Sequence, residues 1–337
     1  MGRSLQVRRA AGLAPDIAEE KYMQSKSIGL ARQRRRDVPM RPGARGRRFL
    51  RVVGLPYLFL SPYLILFALF FIVPLAYALR LSLYVDRLIG GTTFVGSGNF
   101  QQVFQDSNFW EGVRRMVIFG IFQVPIMLGL ALAFALLLDS GSVRFKTLFR
   151  LGFFLPYAIP SVIAALLWGY LYGDNFGLFA QIATWAHAPT PAFLSASGML
   201  ASLGNIVTWQ WTGYNMVIIY AALQAIPPEI YDAATVDGAS SWQVARLIKM
   251  PLVAPALVLT TMFSIIGTLQ LFNEPQIMYS LAPDVIGDHY TPNLYAYSVA
   301  FTNQQYNYSA AISFVLGTVA FLASYVFMLA ANRGGKA

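Results

Sequence analysis

The stretch Met116–Leu138, MVIFGIFQVPIMLGLALAFALLL, contains no Lys, Arg, Asp or Glu. About 20 predominantly apolar residues are enough for an α-helix to cross the hydrocarbon core of a bilayer. Five further stretches meet the same criterion, at Tyr57–Leu79, Phe149–Tyr172, Ala201–Ile226, Leu252–Phe272 and Ala310–Ala331. The sequence therefore predicts an all-α, polytopic membrane protein with six transmembrane helices.

The distribution of Lys and Arg along the 337-residue chain predicts the orientation of the spans. Residues 1–51 carry 14 of the 25 Lys and Arg and account for the net charge of +10, because the remainder of the chain is neutral. Positive residues concentrate in cytoplasmic loops. With the N-terminus in the cytoplasm, 21 of the 25 bases lie on that side. Both termini are therefore predicted to be cytoplasmic.

The basic segment 1–51 is predicted to be a disordered cytoplasmic tail, followed by a transmembrane domain at 52–333 and a short cytoplasmic tail at 334–337. The segment is rich in Arg, Gly and Pro and has no periodic apolar residues. Nucleic-acid binding would need a basic face on a folded domain, and a cleaved signal peptide would need a shorter apolar core. We expect contact with anionic membrane lipid and no nucleic-acid partner.

The composition excludes several kinds of catalytic site. The chain has no Cys and only two His, at His187 and His289, which lie far apart in predicted loops. Thiolate nucleophiles and Cys-based metal sites are therefore excluded, and we predict no catalytic residue and no metal site. The motifs H-E-x-x-H and G-x-S-x-G are also missing from the sequence. A membrane-embedded enzyme acting on a glycan or lipid is the alternative with the least support.

A polar loop at residues 227–251 separates the fourth and fifth predicted spans and begins PPEIYDAATVDGASSW. Pro228 and Glu229 suit the first turn of a helix, where a backbone N–H is not needed and negative charge meets the positive end of the dipole. Gly238 can adopt the left-handed conformation that ends a helix. The first part of the loop is therefore predicted to be a short helix.

A second short helix is predicted directly after Gly238. Ser240 or Ser241 can cap its start, and the helix runs toward Ile248. Pro251 is then expected to begin the fifth span. The loop as a whole predicts a helix–turn–helix on the cytoplasmic face.

The same loop resembles the EAA loop of ATP-binding-cassette importer permeases, which has the pattern E-A-A, three residues, G, nine residues and I-x-L-P. Residues 232–234, Gly238 and residues 248–251 match every spacing, with Asp in place of Glu and Met in place of Leu. The chain after residue 51 looks like the sugar-permease branch of that family, the maltose-transporter type. Phe94-Val95-Gly96 and Leu155-Pro156-Tyr157-Ala158-Ile159-Pro160 resemble its first outer loop and third span.

The resemblance implies a heteromeric importer in the bacterial cell membrane. Its parts would be this chain, a second homologous permease, an ATP-binding-cassette ATPase dimer and an extracytoplasmic substrate-binding protein. The two short helices would dock on one ATPase subunit and transmit its closure. The coupling residues implied are Asp232, Ala233, Ala234, Asp237, Gly238 and Ala239. No G-x-x-x-x-G-K-[S/T] run occurs in the chain, so ATP and Mg²⁺ are expected on the ATPase subunits and this chain is expected to be non-catalytic.

The fourth and fifth predicted spans carry aromatic and polar side chains near their midpoints, at helical spacings that put them on shared faces. Flat aromatic faces suit the C–H face of a sugar ring, and amides and hydroxyls suit its hydroxyl groups. The resemblance implies a substrate pathway formed by Gln210, Trp211, Tyr214, Ser264, Gly267, Thr268 and Leu271. Candidates for its outer end are Gln270, Asn273 and Glu274. The alternative is that these small and polar residues pack the helices against one another.

Charge separates the candidate cargoes. No Lys or Arg occurs in residues 151–245 or 250–332, so the later spans hold no cation to pair with a phosphate. A neutral di- or oligosaccharide is therefore predicted, with another organic solute such as glycerol phosphate as the alternative. Glu274 is the acid nearest to a span, and an ionisable group at that position is a functional candidate.

Overall fold

The computed structural model describes residues 55–87, 89–140 and 143–334. The predicted basic tail at 1–51 and the last three residues, 335–337, lie outside these ranges. Of the described residues, 77% are helical. The chain divides after Pro74 into two units.

In the first unit, helix α1 spans Leu55–Phe67 and a π-helical turn follows at Ala68–Ile72. Three aromatic rings stack at successive turns: the ring centroids of Tyr63 and Phe67 are 6.1 Å apart, and those of Phe67 and Phe71 are 5.1 Å apart. This spacing of four residues places the rings on one face of the helix. Helix α2, at Val73–Ser82, begins just before the boundary of the unit.

A small antiparallel hairpin in the second unit departs from the all-α prediction. Strand β1 at Tyr84–Arg87 pairs with β2 at Gly91–Phe94. The turn between them uses Gly90 at φ +102° and Gly91 at φ +65°, backbone conformations that glycine adopts readily. Helix α3 follows at Gly98–Gln105.

Helices form the rest of the second unit. Their bounds are α4 Ser107–Asp139, α5 Lys146–Ala158, α6 Ser161–Tyr172, α7 Leu178–Trp185, α8 Met199–Gln224, α9 Pro228–Val236, α10 Ser241–Gln243, α11 Met250–Leu269, α12 Asn273–Leu281, α13 Pro292–Tyr297 and α14 Tyr306–Gly334. Two π-helical turns precede α11 and follow α13, at Val244–Lys249 and Ser298–Thr302.

Helices α4 and α8 pack together within the unit. Ala131 and Ala135 of α4 are fully buried in one apolar cluster with Met216 and Ile219 of α8. Small residues let two helix backbones approach closely, which stabilises helix pairs in membranes. This pairing brings the buried amides Gln123 of α4 and Asn215 of α8 to the same cavity.

Length and hydropathy support four membrane spans in the described part of the chain, or five. The four are Pro56–Ser82, Ser107–Asp139, Ser241–Leu281 and Tyr306–Ala331, and the bent pair α5–α6 is the fifth. Helix α8 has 26 residues but does not satisfy both criteria, because Gln210, Thr212 and Asn215 lower its hydropathy. The chain is thus a multi-pass membrane protein, while the span predicted at Ala201–Ile226 and the orientation stay predictions.

The predicted third span is not one straight helix. Helices α5 and α6 meet at an angle of 94°. Ile159 between them is extended, with φ −80° and ψ +128°, because the residue before a proline avoids the helical conformation. The prediction of a continuous helix at Phe149–Tyr172 was therefore wrong at Pro160.

The predicted start of the fifth span at Pro251 was also wrong. Ser240 caps α10 as expected, in a reciprocal capping box with Gln243. The helix then continues through the π-helical turn Val244–Lys249 into α11, without a new start at Pro251. Pro251 has no backbone N–H to donate. The helix tolerates this because Pro251 lies where backbone hydrogen bonding changes from the i→i−5 to the i→i−4 pattern.

Candidate functional site

A cavity of about 220 Å³ lies between α4, α8 and α11, and it extends to the start of α6 and α12. Six of the seven side chains predicted for the pathway line this cavity: Trp211, Tyr214, Ser264, Gly267, Thr268 and Leu271. All three candidates for the outer end, Gln270, Asn273 and Glu274, line it as well. The structure therefore brings nine of the ten predicted residues together.

Gln210 is the exception among the predicted pathway residues. It is buried, and its Nε2 donates a hydrogen bond of 2.8 Å to the carbonyl oxygen of Ile159. That carbonyl is freed by the break before Pro160. Gln210 therefore holds α8 to the bend between α5 and α6 and does not line the cavity.

The rings of Trp211 and Tyr214 line one wall of the cavity, and the ring of Tyr157 packs against both of them. Tyr157 at the end of α5 stacks on Tyr214 with centroids 4.6 Å apart, and its ring contacts Trp211 edge-on at 5.2 Å. Trp211 and Tyr214 are nearly perpendicular, with centroids 5.7 Å apart. Such contacts fix ring orientations. The wall thus offers rigid apolar faces to the cavity.

Gly213 allows α5 to approach this wall. A Cβ atom at Gly213 would overlap the backbone carbonyl of Phe153. The absence of a side chain lets the backbones of α5 and α8 touch, as small residues do at helix contacts in membranes. This close approach brings Tyr157 within stacking distance of Tyr214.

The α11 side of the cavity presents hydroxyl groups and an open backbone surface. The Ser264 hydroxyl donates a 2.8 Å hydrogen bond to the Thr260 carbonyl in its own helix, so its oxygen lone pairs remain as acceptors. Thr268 is buried against Gly120. A Cβ atom at Gly267 would meet nothing within 4 Å. Gly267 therefore leaves space beside the two hydroxyl side chains.

Two interruptions between helices border the cavity, and a hydrogen bond joins them. One lies before Ser161, and the other lies between α11 and α12. Asn273 Nδ2 donates to Ser161 Oγ over 2.7 Å across the two interruptions. Thr291 and Asn293 donate to the carbonyls of Leu271 and Gln270, over 3.1 and 3.0 Å. Polar side chains thus satisfy backbone groups that the second interruption leaves free.

Glu274 is the only charged side chain among the described residues that line the cavity. It lies in the first turn of α12 and is 4% exposed. The positive end of the α12 dipole favours negative charge at this position. Glu274 therefore gives the cavity an acceptor rather than a cationic group.

Sequence reasoning missed two amides that the structure places at the cavity. Gln123 of α4 is buried, with its Nε2 3.4 Å from Thr208 Oγ1. Asn215 of α8 is buried and donates to the Trp211 carbonyl over 3.0 Å. Gln123 is the only amide or hydroxyl side chain in the apolar run Met116–Leu138. A single polar residue within such a run indicates a position that faces the bundle interior or a cavity.

The loop after α8 has the local structure that its sequence predicts. Helix α9 begins at Pro228 with Glu229 in its first turn. It ends at Val236, and Gly238, two residues further on, has a φ of +74°. The N–H of Ala239 donates to the carbonyl of Ala234 over 2.9 Å, and the N–H of Gly238 donates to Thr235 over 3.1 Å. These two bonds form a Schellman motif.

Most of the predicted coupling residues lie on the surface of this loop. Asp232, Ala233, Asp237 and Gly238 are exposed, and Ala239 is half-buried. Ala234 is buried and contributes its carbonyl to the helix end. Large apolar side chains lie beside the carboxylates, since Val236 is 88% exposed and Trp242 is 71% exposed. The loop therefore presents a mixed acidic and apolar surface.

A half-buried carboxylate, that of Asp106, fixes the start of α4. Asp106 Oδ1 accepts from the N–H of Asn108 over 3.0 Å, and Oδ2 accepts from the hydroxyls of Tyr295 and Tyr308 over 2.6 Å each. Burial acts to raise the pKa of Asp106, but these hydrogen bonds outweigh it and hold the pKa below its usual value. Asp106 thus joins α4 to α13 and α14.

Arg115 connects α4 to the segment between α12 and α13. Its Nη1 donates to the Tyr290 carbonyl over 2.8 Å, and its guanidinium lies 4.5 Å from the centroid of the Tyr290 ring. Burial raises the pKa of the Tyr290 hydroxyl, and the charge of Arg115 offsets part of that effect. The segment is therefore held against α4 at two points.

The fold and the site together define a helical, multi-pass membrane protein with a polar cavity among its spans. Residues 126–333 match the family described as "Binding-protein-dependent transport system inner membrane component". The chain belongs to this family, as the resemblance of its loop had predicted.

Named relatives cover most of the chain. It is 32% identical over 297 residues to the lactose transport system permease protein LacF of Rhizobium radiobacter, which covers 85% of this chain and 96% of that protein. It is 28% identical over 273 residues to the arabinooligosaccharides transport system permease protein AraP of Halalkalibacterium halodurans, covering 80% and 85% of the two chains.

One solved structure shares the fold. A chain of a bacterial ABC transporter involved in the import of the acidic polysaccharide alginate superposes with a TM-score of 0.75 and 19% identity. The match covers 86% of this chain and 99% of that chain. At this identity the likeness concerns the arrangement of the helices.

Proposed function

We propose that this chain is a transmembrane permease subunit of an ATP-driven importer for a neutral di- or oligosaccharide. The observation that carries the proposal is the cavity between α4, α8 and α11. It combines the aromatic wall with hydroxyl and amide groups, and none of its described lining residues is Lys or Arg. A sugar ring presents an apolar C–H face and hydroxyl groups, which this combination matches. The similarity to permeases named for lactose and arabinooligosaccharides supports the same cargo class.

We infer a six-span topology, which the packing of the helices supports. Helix α8 is the fourth of the six spans. It crosses the membrane because α4, α5 and α11 surround it and its polar side chains face the bundle interior. The bent pair α5–α6 counts as one broken span, with Gln210 satisfying the carbonyl at the bend. With six spans, both termini lie on the same side of the membrane as the loop that contains α9, and the 14 Lys and Arg of residues 1–51 favour the cytoplasm as that side.

The surface around α9 is the docking site for an ATPase subunit. The exposed carboxylates of Asp232 and Asp237 can accept charge-assisted hydrogen bonds from basic groups, and Val236 and Trp242 offer apolar contacts beside them. A second permease completes the pathway, and a substrate-binding protein delivers the cargo on the opposite side. ATP and Mg²⁺ bind to the ATPase dimer, and this chain is non-catalytic.

Cargo selection at the cavity depends on neutral hydrogen bonding. Glu274 can accept hydrogen bonds from sugar hydroxyls, as can the oxygens of Ser264 and Asn273. A phosphate group would lie beside the Glu274 carboxyl and would find no Lys or Arg among the described lining residues. The cavity therefore favours an uncharged saccharide over glycerol phosphate.

Purification from the native membrane through a tag on this chain tests the proposal. We expect an ATPase with a G-x-x-x-x-G-K-[S/T] motif and a second permease to co-purify. After reconstitution with the binding protein, the complex should accumulate saccharide only when ATP is supplied inside the cytoplasmic compartment. Replacing the motif's Lys in the ATPase is the control and should abolish accumulation. Chemical turnover of a glycan or lipid by this chain alone would contradict the proposal.

A further inference from the structure

Four side chains from four helical elements meet where α9 joins the bundle. Asp139 is the last residue of α4, Gln224 is the last of α8, and Lys249 ends the π-helical turn before α11. Tyr231 belongs to α9. We call these four residues the Asp139 joint. None of them belongs to the cavity or to the exposed surface of α9.

An ion pair forms the centre of the joint. Lys249 Nζ contacts Asp139 Oδ2, and Gln224 Nε2 donates to Asp139 Oδ1 over 2.7 Å. The side chains of Lys249 and Asp139 are only 15% and 7% exposed. Both carboxylate oxygens therefore have a partner, and the ends of α4 and α8 are tied to the beginning of α11.

Tyr231 adds α9 to the joint through its ring. The Lys249 ammonium lies 5.0 Å from the ring centroid, within the range of a cation–π contact. The Tyr231 hydroxyl is buried and has no hydrogen-bond partner in the described part of the chain. Burial raises the pKa of Tyr231, and the negative charge of Asp139 raises it further. The ring, rather than the hydroxyl, therefore makes the contact that attaches α9.

A buried ion pair contributes little net stabilisation to a folded protein. Removing two charges from water offsets much of their attraction, and well-packed apolar residues often stabilise a protein equally well. What the pair does provide is a single geometry, because a displaced partner would leave an uncompensated buried charge. The joint is therefore suited to holding four helical elements in one register.

We propose that the Asp139 joint positions α9 against the ends of α4 and α11, so that movement of α9 is transmitted to the helices that line the cavity. Both of these helices reach the cavity, α4 through Gln123 and α11 through Ser264. This proposal rests on the proposed function for the event that moves α9, which is ATPase closure. The residues of the joint are positioning residues, since none of them contacts cargo or the cavity.

A matched pair of substitutions tests the contact between Tyr231 and Lys249. The measured quantity is the number of saccharide molecules transported per ATP hydrolysed by the reconstituted complex. Tyr231→Phe keeps the ring and removes only the unpartnered hydroxyl, so the ratio should equal that of the wild type. Tyr231→Leu removes the cation–π contact and should lower the ratio about threefold or more while ATP hydrolysis continues. Equal ratios in the two variants would overturn the proposal.

A double substitution separates positioning from simple stability. Asp139→Leu alone leaves the Lys249 charge buried without a partner and should lower the melting temperature. Combining it with Lys249→Met removes both charges and should restore the melting temperature. The transport ratio should stay low in the double variant, whereas Lys249→Arg should keep it near the wild-type value. Recovery of the ratio together with the melting temperature would show a merely structural role and overturn the proposal.

A distance measurement keeps this test independent of the cargo. The chain has no Cys, so Leu137→Cys on α4 and Glu229→Cys on α9 can carry spin labels in a complex whose partner subunits are cysteine-free. We expect one narrow distance distribution with Tyr231→Phe and a broad one with Tyr231→Leu. Identical distributions would overturn the proposal. A complex that transports no saccharide but shows this broadening would contradict the proposed function and support the joint.

Discussion

Tyr157 stacks on Tyr214 with ring centroids 4.6 Å apart and planes inclined by 26°, although the two residues belong to different spans. The contact joins the end of α5, next to the bend of the broken span, to the middle of α8. Gly213 makes room for it, and Gln210 binds the carbonyl at the bend itself. The aromatic wall of the cavity is therefore fixed by three adjacent contacts between α5 and α8.

Gln210 should affect folding rather than cargo recognition. Gln210→Leu removes the donor to the Ile159 carbonyl and leaves that partly buried oxygen without a partner. An unsatisfied buried group costs about 1–3 kcal/mol, so the purified protein should unfold at a lower temperature. Gln210→Glu is a second disruptive variant, because a carboxylate cannot donate this bond. Normal thermal stability combined with a loss of saccharide binding would instead make Gln210 a cargo contact.

Gly213 and Gly267 form a matched pair of glycines. Gly213→Ala should destabilise the protein by about 1–3 kcal/mol, because its Cβ would overlap the Phe153 backbone. Gly267→Ala places the same methyl group in open space, so the melting temperature should equal that of the wild type. The methyl group should narrow the cavity and lower the uptake of larger saccharides. Thermal unfolding and uptake measured on both variants check this. Equal losses of stability would contradict the packing of α5 on α8.

The Asp106 cluster should make stability depend on pH at the acidic end. Its hydrogen bonds hold the pKa of Asp106 below the unfolded value, so their contribution is present above about pH 4. The contribution is lost as the pH falls through the lowered pKa. Melting temperatures of wild type and Asp106→Asn, recorded from neutral to acidic pH, should differ most near neutrality and converge in acid. A constant difference at all pH values would contradict this assignment.

Gly238 should be needed for coupling. Its φ of +74° and the N–H that it donates to Thr235 are both unavailable to proline. Gly238→Pro should therefore uncouple ATP hydrolysis from uptake while the complex still assembles. Gly238→Asn, which tolerates the left-handed conformation better than other side chains, is the control and should retain most uptake. Unchanged uptake with Gly238→Pro would refute docking through α9.

Local signals in the sequence were sufficient for several parts of the fold. Long apolar runs predicted the spans, and Pro228 and Gly238 predicted both ends of α9, because caps depend on neighbouring residues alone. The hydropathy of a single stretch cannot show that α8 is enclosed by other helices. It also does not show the bend at Pro160, since prolines are common in membrane helices that remain straight enough to span.

Parts of the site depend on contacts between distant segments. The nine cavity residues share helical faces and could be grouped from spacing and resemblance. Gln210 lies on the same helix, yet it binds Ile159, 51 positions earlier. Lys249 pairs with Asp139 across 110 positions. Neither partner can be deduced from periodicity, because periodicity describes one helix and these contacts depend on how two helices pack.

The central claim is that the cavity between α4, α8 and α11 passes a neutral saccharide. The most direct measurement is ATP-dependent accumulation of a neutral disaccharide and of glycerol phosphate by the same reconstituted complex with its binding protein. We predict accumulation of the saccharide alone, and about a tenfold loss with Tyr214→Ala. Tyr170→Ala, which alters an exposed aromatic residue outside the cavity, should leave uptake unchanged. Accumulation of glycerol phosphate alone, or saccharide uptake that is unaffected by Tyr214→Ala, would contradict the claim.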